Sequence, residues 1–175
     1  MTDTQQTVSA LPADRSVAGD SFLQIRNLKM HFPVTEGAII QRVVAQVKAV
    51  DGISFDMSKG ETLGLVGESG CGKTTVGRCI LQLERVTEGE IVFDGQDLTQ
   101  LTQKELVPVR EKIQVIFQDP YSSLNPRMKI GDMLEEPMKV HGIITDAAKR
   151  KDRVRELLSV CGLDTKFRDR YPHEM

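Results

Sequence analysis

An α/β fold, strand-rich at its N-terminal end and helical at its C-terminal end, is what this 175-residue sequence predicts. Two observations predict it. Short alternating or β-branched apolar runs occupy the chain as far as Phe117, and beyond that point the apolar residues recur at helical spacing. Between them, Gly67-Glu68-Ser69-Gly70-Cys71-Gly72-Lys73-Thr74 reads G-x-x-x-x-G-K-T. It is preceded by an apolar run, Glu61 to Val66, expected as a strand, and followed by Thr75 to Leu81, expected as the first turns of a helix. Strand, glycine loop and helix are the setting in which backbone N–H groups gather round phosphate.

Taken in order, residues 1–20 are polar, aperiodic and rich in Thr, Gln, Ser and Asp, which predicts a disordered tail. Leu23, Ile25, Leu28 and Met30 among polar neighbours predict a first strand. Val34 to Val43 reads as a loop, with Arg42 and Lys48 solvated. Ala49 to Met57 reads as a second strand with a bulge or turn at Asp51-Gly52, and Ser58-Lys59-Gly60 as a turn. Beyond the loop helix, Glu90 to Gly95 is a short strand closed by an Asp-Gly turn. Thr102-Gln103-Lys104-Glu105 has the pattern of a capping box opening a helix that Pro108 limits to a turn or two before Arg110. Ile113 to Phe117 reads as a buried strand with Gln118 directly after it. A helix is expected from Ile130 to Val140, bent or ended by Pro137. Another should start after a Thr145 N-cap, place Val154, Leu157, Leu158 and Cys161 on one face, and close at Gly162. The Lys149-Arg150-Lys151 run reads as a solvated face.

The loop residues carry the chemistry. Gly67, Gly70 and Gly72 let the backbone approach phosphates with no Cβ in the way, and the positive end of the following helix favours the same charge. Lys73 supplies a point charge to the β- and γ-phosphates, and Thr74 places its hydroxyl on Mg²⁺. Thr75 reaches an α-phosphate oxygen or simply opens the helix. Cys71 contributes backbone, and alkylating its thiol is expected to crowd the phosphates and block nucleotide binding.

Composition narrows the field. A net charge of −2 argues against a nucleic-acid binder held by a general positive field. No apolar run approaches the roughly 20 residues needed to cross a bilayer. Cys71, Cys79 and Cys161 are odd in number and form no C-x-x-C pair, which fits reduced thiols in a cytosol. His31, His141 and His173 are isolated and read as solvated or packing residues.

Three stretches carry a resemblance: Val47-Lys48-Ala49-Val50-Asp51-Gly52-Ile53-Ser54-Phe55, then Gly60 through Thr75, and Phe117-Gln118-Asp119-Pro120-Tyr121-Ser122-Ser123-Leu124-Asn125-Pro126-Arg127. With them the chain resembles the ATP-binding subunits of ABC transporters and, within these, the peptide importers, to which the third stretch is more particular. The likeness runs from about Phe22 to the last residue. It implies a partial nucleotide-binding domain: an antiparallel β subdomain and part of a RecA-like P-loop core over residues 21–118, then part of a helical subdomain over 119–175. It implies ATP and Mg²⁺ as cofactors. Gln118 falls at the glutamine switch that meets Mg²⁺ or the attacking water, and Phe32 is the candidate to stack on adenine. Implied partners are transmembrane permease subunits, gripped in part by the helical segment after Pro126, a second ATP-binding subunit and, indirectly, a peptide-binding protein. The implied location is the cytoplasmic face of the inner membrane.

Tyr171-Pro172-His173-Glu174-Met175 resembles the run that introduces the family's Ser-Gly-Gly-Gln signature. No signature, acidic-ended strand or switch histidine is found in these residues, so the pattern predicts a portion of the subunit that hydrolyses ATP very slowly or not at all by itself. In the family, two later strands separate the strand before the loop from the strand before the glutamine. Without them, exposed apolar surface and a poorly soluble or partly molten chain are expected. Two other readings stand beside this one: a short module that binds ATP without hydrolysing it, and an ABC ATPase acting outside transport.

Overall fold

The computed structural model describes residues 21–36, 42–119 and 121–175, so the predicted tail over 1–20 lies outside the described residues. The chain forms two compact units, one up to Leu106 and one from Val107 onward.

The first unit is built on a four-stranded antiparallel sheet in the order β2-β1-β3-β4, with β1 at Ser21–Glu36, β2 at Arg42–Ser58, β3 at Glu88–Phe93 and β4 at Gln96–Asp97. Leu23, Ile25, Leu28 and Met30 are all buried, although strict alternation would send one pair outward. The register shift between Ile25 and Leu28 resolves this. Asn27 sits there at φ +45° and donates its N–H to Ser54 Oγ at 2.8 Å, so both apolar pairs stay on the core side. A second shift falls at Asp51-Gly52, as the sequence suggests, with Gly52 at φ +86°. Asp94 and Gly95, both at positive φ, make the tight turn from β3 into β4. Helix α1, Lys73–Ile80, buries Val76 and Cys79 and touches β2. Burial pushes the Cys79 thiol up to about 11.

The second unit is helical. Helix α3, Ile130–Val140, and helix α4, Ala147–Val160, share a core of Ile130, Met138, Val154 and Leu158. Gly162, at φ +72°, ends α4: its N–H donates to Ser159 O and that of Leu163 to Leu158 O, the paired bonds of a Schellman cap.

Several expectations are corrected. Of the expected Val34–Val43 loop, Val34–Glu36 belongs to β1 and Arg42–Val43 to β2, with residues 37–41 outside the described residues; the cross-strand ladder extends past the last buried pair. Glu61–Val66 and Ile113–Phe117 are not strands. Their composition suits a sheet, but a strand exists only with a partner, and neither segment pairs with the described sheet; Val66 and Ile116 are exposed. Pro108 does not stop α2, which spans Leu106–Lys112, since it lies in the first turn where a missing N–H costs little. The capping box forms: Thr102 N–H donates to Glu105 Oε2, and Glu105 N–H to Thr102 Oγ1. Pro137 stands inside α3, which continues to Val140. The N-cap of α4 is Asp146 and not Thr145, since the Asp146 carboxylate accepts from Lys149 N–H at 2.9 Å. Cys161 is exposed, so the apolar face of α4 ends at Leu158. Arg150 is not solvated; it ties Glu135 and the carbonyls of Ile144 and Thr145.

Candidate functional site

The phosphate-type loop enters α1 through Gly72, its N-cap, at φ +99°. A Cβ at Gly72 would lie 2.3 Å from the Ala49 carbonyl oxygen of β2, and one at Gly67 would lie 2.5 Å from Cys71 Sγ. Gly72 is therefore required by close approach to the β2 backbone, whereas at Gly67 the neighbour is the end of the Cys71 side chain. Gly70, at φ +82°, has open space around it and is needed for its conformation alone. No side chain caps α1 and its first turn carries no acid, so the positive end of this helix is not neutralised from within.

Lys73 begins α1 and turns its ammonium back over the loop, donating to the Gly67 carbonyl at 2.8 Å and the Glu68 carbonyl at 2.7 Å, with Cys71 Sγ at 3.5 Å. A cation is thus fixed at the loop by backbone, with no carboxylate bound to it in these contacts. Cys71 is buried, Thr74 exposed and Thr75 half-buried one step along the helix. The loop offers what a polyphosphate needs: a cradle free of Cβ atoms, a helix N-terminus and a positioned ammonium. A hydroxyl at the exposed Thr74 suits a hard cation shared with phosphate oxygens. Among the described residues no group of three or more His, Cys, Asp or Glu is arranged to hold a metal by itself.

Phe32 is half-buried on β1 and lies opposite Val47 of β2. Gln118 is exposed in a bend after the 113–117 segment. The residues next to it are ordered locally, Asp119 Oδ1 accepting from the N–H groups of Tyr121 and Ser122 at 3.1 and 3.2 Å. Phe32 and the loop belong to the first unit and Gln118 to the second, and each is placed within its own unit.

Sequence reasoning missed an ionic cluster on the sheet. His31 Nε2 and Lys48 Nζ each meet one oxygen of Asp51 at 3.0 Å, so neither is merely solvated. These bonds hold the Asp51 carboxyl below its ordinary value, that from Lys48 contributing most and that from His31 next. Nearby, Lys29 donates to Glu88 at 2.7 Å, and this bond lowers the Glu88 carboxyl while raising the Lys29 ammonium. Lys48 and Asp51 are three residues apart on β2, whereas His31–Asp51 and Lys29–Glu88 join residues of different strands that no spacing in the sequence announces. His173 stacks on Tyr171 at 5.7 Å, a packing role.

The sequence pattern of the ABC transporter family matches residues 50–175. The oligopeptide transport ATP-binding protein AppF of Bacillus subtilis is 48% identical over 156 residues, which is 89% of this chain and 47% of that protein. The glutathione import ATP-binding protein GsiA of Pectobacterium atrosepticum is 46% identical over 173 residues, 98% of this chain and 27% of that protein. The chain thus spans about half the length of the first relative, or less. Among solved structures, the dimeric bacterial ABC transporter cassette MJ0796 superposes with a TM-score of 0.70 at 23% identity, covering 87% of this chain and 62% of that one. A likeness that distant speaks to the fold.

Proposed function

The chain belongs to the ABC transporter family, and from that premise we propose that it is the nucleotide-binding portion of a peptide importer's ATP-binding subunit, which in the complete protein couples ATP binding and hydrolysis to peptide uptake. The observation that carries this reading is the loop: Lys73 pinned over the Gly67 and Glu68 carbonyls at the N-terminus of α1. The printed functions of the relatives, oligopeptide transport and glutathione import, supply the substrate class.

Bound MgATP supplies a phosphoryl group whose transfer to water releases the energy for transport. In this reading the loop N–H groups and the α1 terminus neutralise phosphate charge, and Lys73 exchanges its carbonyl partners for β- and γ-phosphate oxygens. That exchange conserves hydrogen bonds while bringing opposite charges together, which makes it favourable. Thr74 presents its hydroxyl to the metal, and Thr75 hydrogen-bonds the α-phosphate. Phe32 stacks on the base, and Gln118 orients water or metal. Residues 21–118 and 119–175 act as a sheet-and-loop part and a helical part, the latter meeting transmembrane permease subunits. A second ATP-binding subunit completes the working unit, in keeping with the dimeric cassette among the structural relatives, and a peptide-binding protein acts indirectly. The working location is the cytoplasmic face of the inner membrane; no helix among the described residues is long and apolar enough to cross one.

Disrupting the gene in its own host and measuring uptake of labelled dipeptides and oligopeptides tests the proposal. Loss of uptake, restored by the wild-type gene and not by a Lys73→Ala gene, is the expected result. Unchanged peptide uptake overturns it.

A further inference from the structure

Two residues on the solvent side of α3 work against the helix that carries them. Pro137 stands inside the 11-residue helix, well past its first turn, and is exposed. Proline has no N–H, so the i→i−4 bond to the Met133 carbonyl is missing, and the ring crowds that carbonyl. Glu136 is exposed four residues after the exposed Asp132, a spacing at which like charges repel. Asp132 is at home in the first turn, where the positive end of the helix favours an acid, whereas Glu136 lies beyond that reach. Neither carboxylate forms an ion pair among the described residues. Lys139 and Arg150 are committed instead to the buried Glu135, each at 3.4 Å.

Asp132, Glu136 and Val140 recur every four residues and so share one face, away from Ile130 and Met138 of the core. That face offers two carboxylates, a carbonyl freed from the helix and an aliphatic side chain that is 60% exposed. Its side chains accept hydrogen bonds and donate none, so the complementary surface brings donors and positive charge. Lysine and arginine are donors only, and the cytoplasmic loops of membrane proteins are rich in both.

We propose that this face of α3 docks a basic cytoplasmic loop of a membrane permease subunit, whose Lys or Arg side chains meet Asp132 and Glu136 while a further donor meets the Met133 carbonyl. The proposal rests on the reading of the helical part as the one that meets the permease. Pro137 is a positioning residue: it keeps the acceptor open and weakens the helix in doing so.

The test is sedimentation of the full chain with inverted membrane vesicles of the host, washed with urea to strip peripheral proteins, over a series of salt concentrations. Trypsin-treated vesicles and protein-free vesicles of anionic phospholipid are run beside them. The variants are Asp132→Asn combined with Glu136→Gln, Pro137→Ala, and Asp152→Asn as a control acid exposed on α4. Wild type should bind the washed membranes, more weakly as salt rises, and should bind neither of the other vesicles. The double charge variant should bind about threefold to tenfold more weakly, the scale of two exposed ion pairs, and Asp152→Asn should bind as wild type. Pro137→Ala should raise the urea midpoint of the second unit and yet weaken membrane binding, a combination that a purely structural proline does not give. Unchanged binding by the double variant, or by a stabilised Pro137→Ala, overturns the proposal. Equal wild-type binding to trypsin-treated or lipid vesicles also overturns it, because the contact is then with lipid. A wild type that binds no membrane overturns it as well, while the importer reading is judged separately by peptide uptake after gene disruption.

Discussion

Replacing Gly72 by alanine tests whether the loop geometry itself makes the site. Two costs follow from the structure. At φ +99° an L side chain is strained by roughly 1–2 kcal/mol. Its Cβ would also lie 2.3 Å from the Ala49 carbonyl oxygen, against a floor near 3.0 Å for real contacts. Because that oxygen is backbone in β2, the loop must withdraw by at least about 0.7 Å. Displacements near 1 Å are enough to cost about a hundredfold in a positioned site. Gly72→Ala should therefore lower the urea midpoint of the first unit, followed by far-ultraviolet circular dichroism, and weaken MgATP by at least about tenfold. Gly77→Ala is the internal control. It sits in α1 with nothing within 4 Å of a Cβ and a normal φ, so it should stabilise by about 0.5–1 kcal/mol and leave affinity alone. A Gly72→Ala protein that binds MgATP like wild type at an unchanged urea midpoint refutes the reasoning.

Three further outcomes are expected. Thiol alkylation at pH 8 should modify exposed Cys161 first, buried Cys71 slowly and Cys79, held near 11, not at all; nucleotide affinity should vanish in step with Cys71 modification by mass spectrometry, and full affinity after stoichiometric modification there contradicts the crowding argument. Leu158→Ala, removing a buried side chain from the α3–α4 core, should destabilise the second unit by about 3 kcal/mol in urea, and a cost below about 1 kcal/mol would show that this core is not packed as described. Glu88 and Asp51 are held below their ordinary 4.5 and 3.8, so their contribution is complete above about pH 4.5 and is lost as the solution is acidified below it. Lys29 is raised above 10.5, so its contribution is complete below that pH and lost above it. Glu88→Gln should flatten part of both the acid and the alkaline fall in urea midpoint, and identical pH profiles would contradict the pairing.

Much of this was legible in the sequence because the signals are local. The glycines of the loop, the Asp94-Gly95 turn, the Thr102–Glu105 box and the Gly162 cap each encode a conformation within a few residues, and each stands in the fold. Adjacent candidates blurred one boundary, since Thr145 and Asp146 can both cap and only the carboxylate reaches Lys149 N–H. What failed was non-local. Leu63-Gly64-Leu65-Val66 and Val115-Ile116-Phe117 have strand composition, yet strand formation depends on partners elsewhere in the chain. The described ends of the Val34–Val43 stretch have the composition of a loop because the ladder continues there without burial. The His31–Asp51 bond, which completes the cluster begun by Lys48, arises only when β1 and β2 align. Within the candidate site, the loop could be read from residue order, whereas Phe32 and Gln118 entered by resemblance to a family.

The most direct measurement is calorimetric titration of MgATP into the full chain and its Lys73→Ala variant. The account predicts saturable one-site binding by the wild type and a loss of at least about tenfold in the variant, the scale of a charge-assisted contact to phosphate. Equal affinities in the two proteins would contradict it.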